Sequence, residues 1–291
     1  MKRHLLVMVK LVVSIGLMVA LFWVADPAAV WGHLRSADAG WLTVAAGTLL
    51  SVTVLMAWRW QLVAQSLGLD IPLPRAVQEF FLSNLVNQIL PGGMVGDVAR
   101  AVRVRDAGDL KKAAWSVALD RVFGQVILFS LMATGFAVAL AIPGGIPWPS
   151  WAWGVIGALF CIALVSITVR WWPVTHVVGL LRNPFQVVLS CTIAALLVSG
   201  FWACAQAVGA PLSHGALFTL IPLVLSAMLI PLSIGGWGWR EGAAAALFPL
   251  AGFDASTGVA AGVAYGSLLL LTATPAVVLY LAQPVAERGT E

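Results

Sequence analysis

The stretch 185–239 reads FQVVLSCTIAALLVSGFWACAQAVGAPLSHGALFTLIPLVLSAMLIPLSIGGWGW, and it contains no Lys, Arg, Asp or Glu. A run of this kind has no charged face to show to water. It is also far longer than the roughly 20 residues that cross a bilayer, so it must hold more than one membrane segment. Residues 122–169 are free of charge in the same way. Helices, which satisfy their own backbone hydrogen bonds, are the elements that such sequences form in lipid. The fold class that follows is an all-α, polytopic membrane protein.

Composition agrees with this reading. Of 291 residues, 61% are hydrophobic and 10% are charged, against roughly 25% charged in ordinary soluble domains. The net charge of +4 does not point to nucleic acid, because the basic residues lie in short loops between apolar runs. In a membrane protein that pattern sets orientation. Cys161, Cys191 and Cys204 fall inside apolar segments without Cys-x-x-Cys spacing, so neither a metal site nor a disulfide is expected. The N-terminal apolar run up to Ala25 is too long for a signal peptide, and it reads as an uncleaved first helix.

Six segments read as plain spans: about 5–25, 41–62, 116–142, 151–170, 186–208 and 255–281. Two further stretches, about 76–106 and 214–248, are apolar but interrupted by Pro and Gly. Eight membrane segments in a single domain are therefore expected over residues 1–291. With the N-terminus inside, Lys2, Arg3, Arg75, Arg103, Arg105, Lys111, Lys112, Arg170, Arg182 and Arg288 fall on the cytoplasmic side. Of the outer connecting loops, only the one with Arg35 is basic. This asymmetry requires 76–106 to enter and leave on the inner side, and 214–248 on the outer side. Both termini are then cytoplasmic. Eight fully spanning helices are the alternative topology.

The two interrupted stretches match each other. Leu90-Pro91-Gly92-Gly93-Met94-Val95-Gly96-Asp97-Val98-Ala99-Arg100 and Ile230-Pro231-Leu232-Ser233-Ile234-Gly235-Gly236-Trp237-Gly238-Trp239-Arg240-Glu241 both fit Pro-x4-Gly-x3-Arg. Each lies after two spans and before a third. The halves 5–142 and 151–281 then form an inverted repeat with one broken helix apiece, an arrangement that transporters use to build a central site. The half-helices, expected to begin near Asp97 and Trp237, would aim free N–H groups inward, which suits an anion. Arg100 and Arg240 sit in the first turns, where their own helix dipole disfavours a cation, so a negative partner is expected. A lipid phosphate gripped by guanidinium hydrogen bonds is one candidate.

The local alternatives are these. Asp97 is either an intramembrane functional carboxylate or an N-cap paired with Arg100 three residues on. Arg240 and Glu241 are adjacent, and Glu241 is expected to reach Arg100 across the repeat interface. Glu79, Ser83 and Asn87 share one helical face, flanked by Asn84 and Gln88; this stripe either lines the cavity or bonds neighbouring helices. Asp120 and Arg121 read as a pair at the membrane interface, with Gln125 one turn on. Arg100, Arg240, Glu241, Asp97, Asn84, Asn87, Glu79, Arg121, Gly96 and Gly236 form the candidate substrate-binding set.

Asn84, Leu90-Pro91, Gly96-Asp97 and Arg100, an acidic-Arg pair at 120–121, then Pro231, Gly235-Gly236, Gly238 and Arg240-Glu241, together resemble the lysylphosphatidylglycerol synthase transmembrane-region family. The resemblance extends over about 5–282 and includes hopanoid-biosynthesis-associated members. Val95 and Asp120 depart from it, standing where Gly and Glu are common. The resemblance implies translocation of a lipid, often anionic or modified, between leaflets of the bacterial inner membrane. Bifunctional members carry a soluble synthase domain after the membrane part; this sequence ends ten residues after Leu281, so lipid aminoacylation is not expected of it. No cofactor is expected, and the expected partners are membrane lipids. The competing functions are an embedded enzyme acting on lipid phosphates and a non-catalytic envelope assembly protein. The enzyme reading lacks a histidine in either motif: His4, His33, His176 and His214 all lie elsewhere.

Overall fold

A computed structural model describes residues 25–90, 94–105, 109–141, 174–228 and 234–281, with isolated positions 12, 16, 19, 21, 148, 154 and 157. The expected spans 5–25 and 151–170 lie almost wholly outside the described residues, as do Pro91-Gly92-Gly93 and Pro231-Leu232-Ser233. The described residues contain helices and no strand. In chain order these are α1 Pro27–Arg35, α2 Ala39–Ser66, α3 Leu73–Ile89, α4 Val95–Arg103, α5 Leu110–Ala141, α6 Val174–Arg182, α7 Pro184–Ala207, α8 His214–Ala227, α9 Trp239–Leu247, α10 Ala255–Ala273 and α11 Pro275–Leu281. Among the described residues, four helical stretches are long and apolar enough to cross a membrane: Ala39–Ser66, Leu110–Val138, Pro184–Ala207 and Ala255–Val278.

Local chemistry sets the helix ends. Asp38 accepts from Trp41 N at 2.9 Å and Ser213 from Ala216 N at 3.3 Å, each capping the start of a helix. Asn183 accepts from the N–H groups of Phe185 and Gln186, with Pro184 preset for the first turn. Helices α2 and α7 end on the same device. Ala64-Gln65-Ser66-Leu67-Gly68 closes α2 and Ala205-Gln206-Ala207-Val208-Gly209 closes α7. Each glycine turns left-handed, at φ 76° and 87°, and the following N–H returns to the first alanine of its motif, at 3.0 and 2.9 Å.

Each interrupted stretch is a pair of helices packed on one another, α3 on α4 and α8 on α9. Helix α2 lies along α7, and α10 contacts α1, α2, α3, α7 and α9. Small residues permit the closest approaches, as expected where lipid supplies no hydrophobic drive between helices. Gly258, Gly262 and Gly266 line one face of α10 at i,i+4 spacing. A Cβ on Gly258 would sit 2.5 Å from the Ala244 carbonyl oxygen, and one on Gly262 would sit 3.2 Å from Glu241 Cα. That glycine face lets α9 lie flush against α10. One core cluster gathers around Phe201, Leu220, Val224, Phe248 and Tyr265, and another around Trp60, Leu69, Ile71, Phe80 and Val104.

Candidate functional site

In the first half the site grows from the polar face of α3. Glu79, Ser83 and Asn87 recur every four residues and are all buried. Ser83 Oγ donates to Asp97 Oδ1 at 3.1 Å, and Asn87 Nδ2 donates to Asp97 Oδ2 at 3.2 Å. Asn87 Oδ1 accepts from Gly96 N at 2.8 Å, so α3 caps the start of α4 from outside. This requires contact between backbones: a Cβ on Gly96 would lie 2.1 Å from the Ser83 carbonyl oxygen.

Asp97 also binds two arginines. Arg100 Nη2 donates to Oδ1 at 3.1 Å, and Arg121, reaching across from α5, donates to Oδ2. The Arg121 side chain is 40% exposed, whereas Arg100 is wholly buried. The Arg100 guanidinium lies 4.2 Å from the Trp60 ring centroid and 4.4 Å from that of Phe80. Among the described residues, its Nε and Nη1 have no hydrogen-bond partner. Around this core, Arg103 Nε donates to Glu79 at 2.6 Å, and Arg59 Nε donates to Asp120 Oδ1 at 2.8 Å. In these four ion pairs of the described residues, three carboxylates face four guanidiniums, one positive charge in excess.

In the second half the chain approaches α9 through Gly235, Gly236 and Gly238, all left-handed at φ 55°, 81° and 89°. Glu241 folds back to accept from Gly238 N at 2.7 Å. Its other oxygen accepts from Arg240 Nε at 3.0 Å and Nη2 at 2.5 Å. Arg240 Nε also donates to the Gly262 carbonyl at 3.0 Å. This guanidinium is wholly buried beside Trp237 and Tyr265, with ring centroids at 4.9 and 5.8 Å, and its Nη1 has no partner among the described residues. The two breaks meet: a Cβ on Gly235 would fall 2.5 Å from Gln88 Oε1.

Several sequence expectations are corrected. Glu241 pairs with Arg240 and not with Arg100, because folding back to the helix start brings its carboxylate beside its neighbour's guanidinium. Arg100 takes Asp97 as its partner. Asp97 is no N-cap: Met94 caps α4, which begins at Val95, and Asp97 sits within the first turn while pairing with Arg100 as foreseen. Helix α9 begins at Trp239, two residues beyond the expected start. Asp120 and Arg121 are not each other's partners: Asp120 is 2% exposed and held by Arg59, and Arg121 pairs with Asp97. Gly236 serves by its left-handed turn and by contact with Met228, and Asn84 stands half-buried outside the network. Arg59 was missed, although an arginine inside an apolar span, flanked by Trp58 and Trp60, is a signal in itself.

Chemically, the arrangement offers hydrogen-bond donors in excess of acceptors, held away from water. Such a site suits an oxyanion. No curated protein matches the chain in a direct sequence comparison. Residues 7–276 match the family model described as the lysylphosphatidylglycerol synthase TM region, so the chain belongs to that family and is a membrane protein related to lipid metabolism or transport.

Proposed function

We propose that the protein moves a lipid between the leaflets of the cell inner membrane, holding an anionic or phosphate headgroup where the two breaks meet. The observation that carries this reading is the set of unpartnered guanidinium N–H groups, Arg100 Nε and Nη1 and Arg240 Nη1, on two half-helices of matched sequence. A buried donor left without an acceptor forfeits its hydration, so a phosphate oxygen delivered there would recover a bond worth about 1.5–3 kcal/mol. The excess positive charge around Asp97 acts in the same direction, and Arg121, half in solvent, is the first cation an entering headgroup would meet.

The reading places the two halves in an inverted repeat of eight membrane segments, with each interrupted stretch a re-entrant hairpin and both termini cytoplasmic. The paired helix endings support it. Gly68 precedes Arg100 by nearly the same length of chain as Gly209 precedes Arg240, and the two helices that end on those glycines pack together. Equivalent helices meeting at a central axis are what such a repeat produces.

The test is reconstitution in vesicles with headgroup-labelled lipids, following leaflet exchange and headgroup release together. Exchange that is lost in Arg100→Gln and Arg240→Gln, without release, is the expected result. Release of phosphate or headgroup would replace transport with catalysis. Exchange untouched by either substitution would remove the arginines from the path. Topology is read separately in a Cys191→Ser background, where Leu110→Cys should label from the cytoplasm and Pro211→Cys from outside; labelling of both from one side overturns the inverted arrangement.

A further inference from the structure

Asp97 divides its two oxygens between two guanidiniums, Oδ1 to Arg100 and Oδ2 to Arg121. Nearby, Arg59 is matched by Asp120 and Arg103 by Glu79. Among these ion pairs of the described residues the cluster is short of one oxyanion, and the shortage falls on Arg100 and Arg121. The second break shows no such shortage: Arg240 and Glu241 are both wholly buried and match one to one. Arg105, Lys111 and Lys112 are exposed, where water and salt screen them. Arg75, half-buried at the rim, donates to the Arg103 carbonyl.

The size of the shortage bears on what can fill it. Away from water, a charge is tolerated only when a partner compensates it. A ligand with one negative charge would complete the set, giving Arg100 and Arg121 the second acceptor group they now share. A ligand with two would carry one of them in without a counter-charge. A zwitterion would bring a cation for which Asp97, already holding two arginines, has no oxygen left. Arg121 makes the shortage reachable, because its side chain stands partly in solvent while Arg100 and Asp97 are buried.

We propose that the site is matched to a single negative charge, and so takes a phosphodiester headgroup in preference to a phosphomonoester or a diphosphate. The proposal rests on the anionic-headgroup reading above and narrows it. A phosphodiester keeps one charge, and its two unesterified oxygens can serve Arg121 and Arg100 as the two oxygens of Asp97 do. A phosphomonoester carries nearly two charges above its second pKa of about 6.

The test is a competition read by native mass spectrometry of the full protein in detergent at about pH 8.5, where the monoester holds its second charge. The probes share the same acyl chains and are phosphatidylmethanol, phosphatidic acid and phosphatidylcholine. The first two differ by one methyl group on the phosphate, and hence by one charge. The wild type should retain phosphatidylmethanol about tenfold over each of the others, the effect of one charge-assisted bond won or one charge left uncompensated. Asp97→Asn, which adds a positive charge, should bring phosphatidic acid level with phosphatidylmethanol or above it. Arg121→Gln, which removes the excess at a partly exposed position, should abolish the preference for phosphatidylmethanol over phosphatidylcholine. Thermal unfolding reports whether each variant folds; should Asp97→Asn fail to, the wild-type order and Arg121→Gln decide. Dimethyl phosphate in excess, with the same charge and no acyl chain, should not displace the lipid; displacement would overturn a lipid as the source of the headgroup. Phosphatidic acid held as tightly as phosphatidylmethanol or more so, with both above phosphatidylcholine, overturns the charge match and leaves the anionic-headgroup reading standing. Equal retention of all three lipids overturns that reading, and the proposal with it.

Discussion

Gln88 and Gly235 touch across the two breaks: the glycine has no side chain where a methyl group would stand 2.5 Å from the amide oxygen. The residues come from opposite halves of the chain, and each lies in the same broken stretch as its own arginine. The contact sets the last turn of α3 against the chain that leads into α9. It also relies on Gly235 being left-handed, at φ 55°.

Gly235→Ala should therefore destabilise twice, through its backbone and through its contact. The left-handed conformation alone costs a residue with a side chain about 1–3 kcal/mol. Adding Gln88→Ala should relieve the 2.5 Å clash with the amide oxygen, leaving the backbone cost and the closer-than-usual approach to Gln88 Cα and carbonyl oxygen at 3.2 and 3.3 Å. Thermal unfolding in detergent of the two single variants and the double variant separates the two contributions; a double variant no more stable than Gly235→Ala would mean that the breaks do not touch.

Arg240 is seated by a glycine in the same manner. A Cβ on Gly266 would stand 2.0 Å from Arg240 Nη2, inside any permitted contact, and the arginine is wholly buried and held by Glu241 and the Gly262 carbonyl. Gly266→Ala should cost about 1–3 kcal/mol or more by overpacking and should abolish lipid exchange by unseating the guanidinium. Gly262→Ala, whose Cβ meets Glu241 at 3.2 Å, should be milder in both respects. Equal effects of the two would show that Arg240 yields easily.

The Arg59–Asp120 pair is the interaction most clearly structural. Both residues are nearly inaccessible, Arg59 Nη2 also donates to the Asp120 carbonyl at 3.2 Å, and Gly124 leaves room for the guanidinium. Removing one charge leaves the other buried and alone. Arg59→Leu or Asp120→Leu should each cost about 3–5 kcal/mol, while the double substitution should recover most of that loss. The measurement is a double-mutant cycle of unfolding in detergent, and additive losses would contradict a direct pair.

These residues also show what the sequence could and could not disclose. Charge-free runs announce helices in lipid because nothing else satisfies a backbone there, and the span at 184–207 follows from that alone. The polar face of α3 was legible because Glu79, Ser83 and Asn87 repeat at helical spacing, and its destination was legible because Pro91 lay ahead. Pairing was harder. Glu241 turned back on its own helix start, a choice made by a free N–H three residues earlier, which spacing along a helix does not express. Arg59 and Asp120 are far apart in the chain, and only the packing of α2 on α5 makes them partners.

Asp97 is the residue whose change should distinguish a ligand site from a structural knot. It accepts from Ser83, Asn87, Arg100 and Arg121 together, so it both fixes the arginines and neutralises them. In Asp97→Asn the surrounding positive excess grows by one charge, and of the two oxygens that served the two guanidiniums one becomes a donor NH2. If those guanidiniums exist to meet an anion, the variant should retain more anionic lipid, by about tenfold over wild type, the effect of one charge-assisted hydrogen bond transferred to the ligand. Zwitterionic lipid should be unaffected. Native mass spectrometry of the purified protein gives the ratio directly, with Arg100→Gln as the opposite case, in which the ratio should fall. If both variants carry the same lipids as the wild type, the buried arginines hold the helices together and the headgroup binds elsewhere.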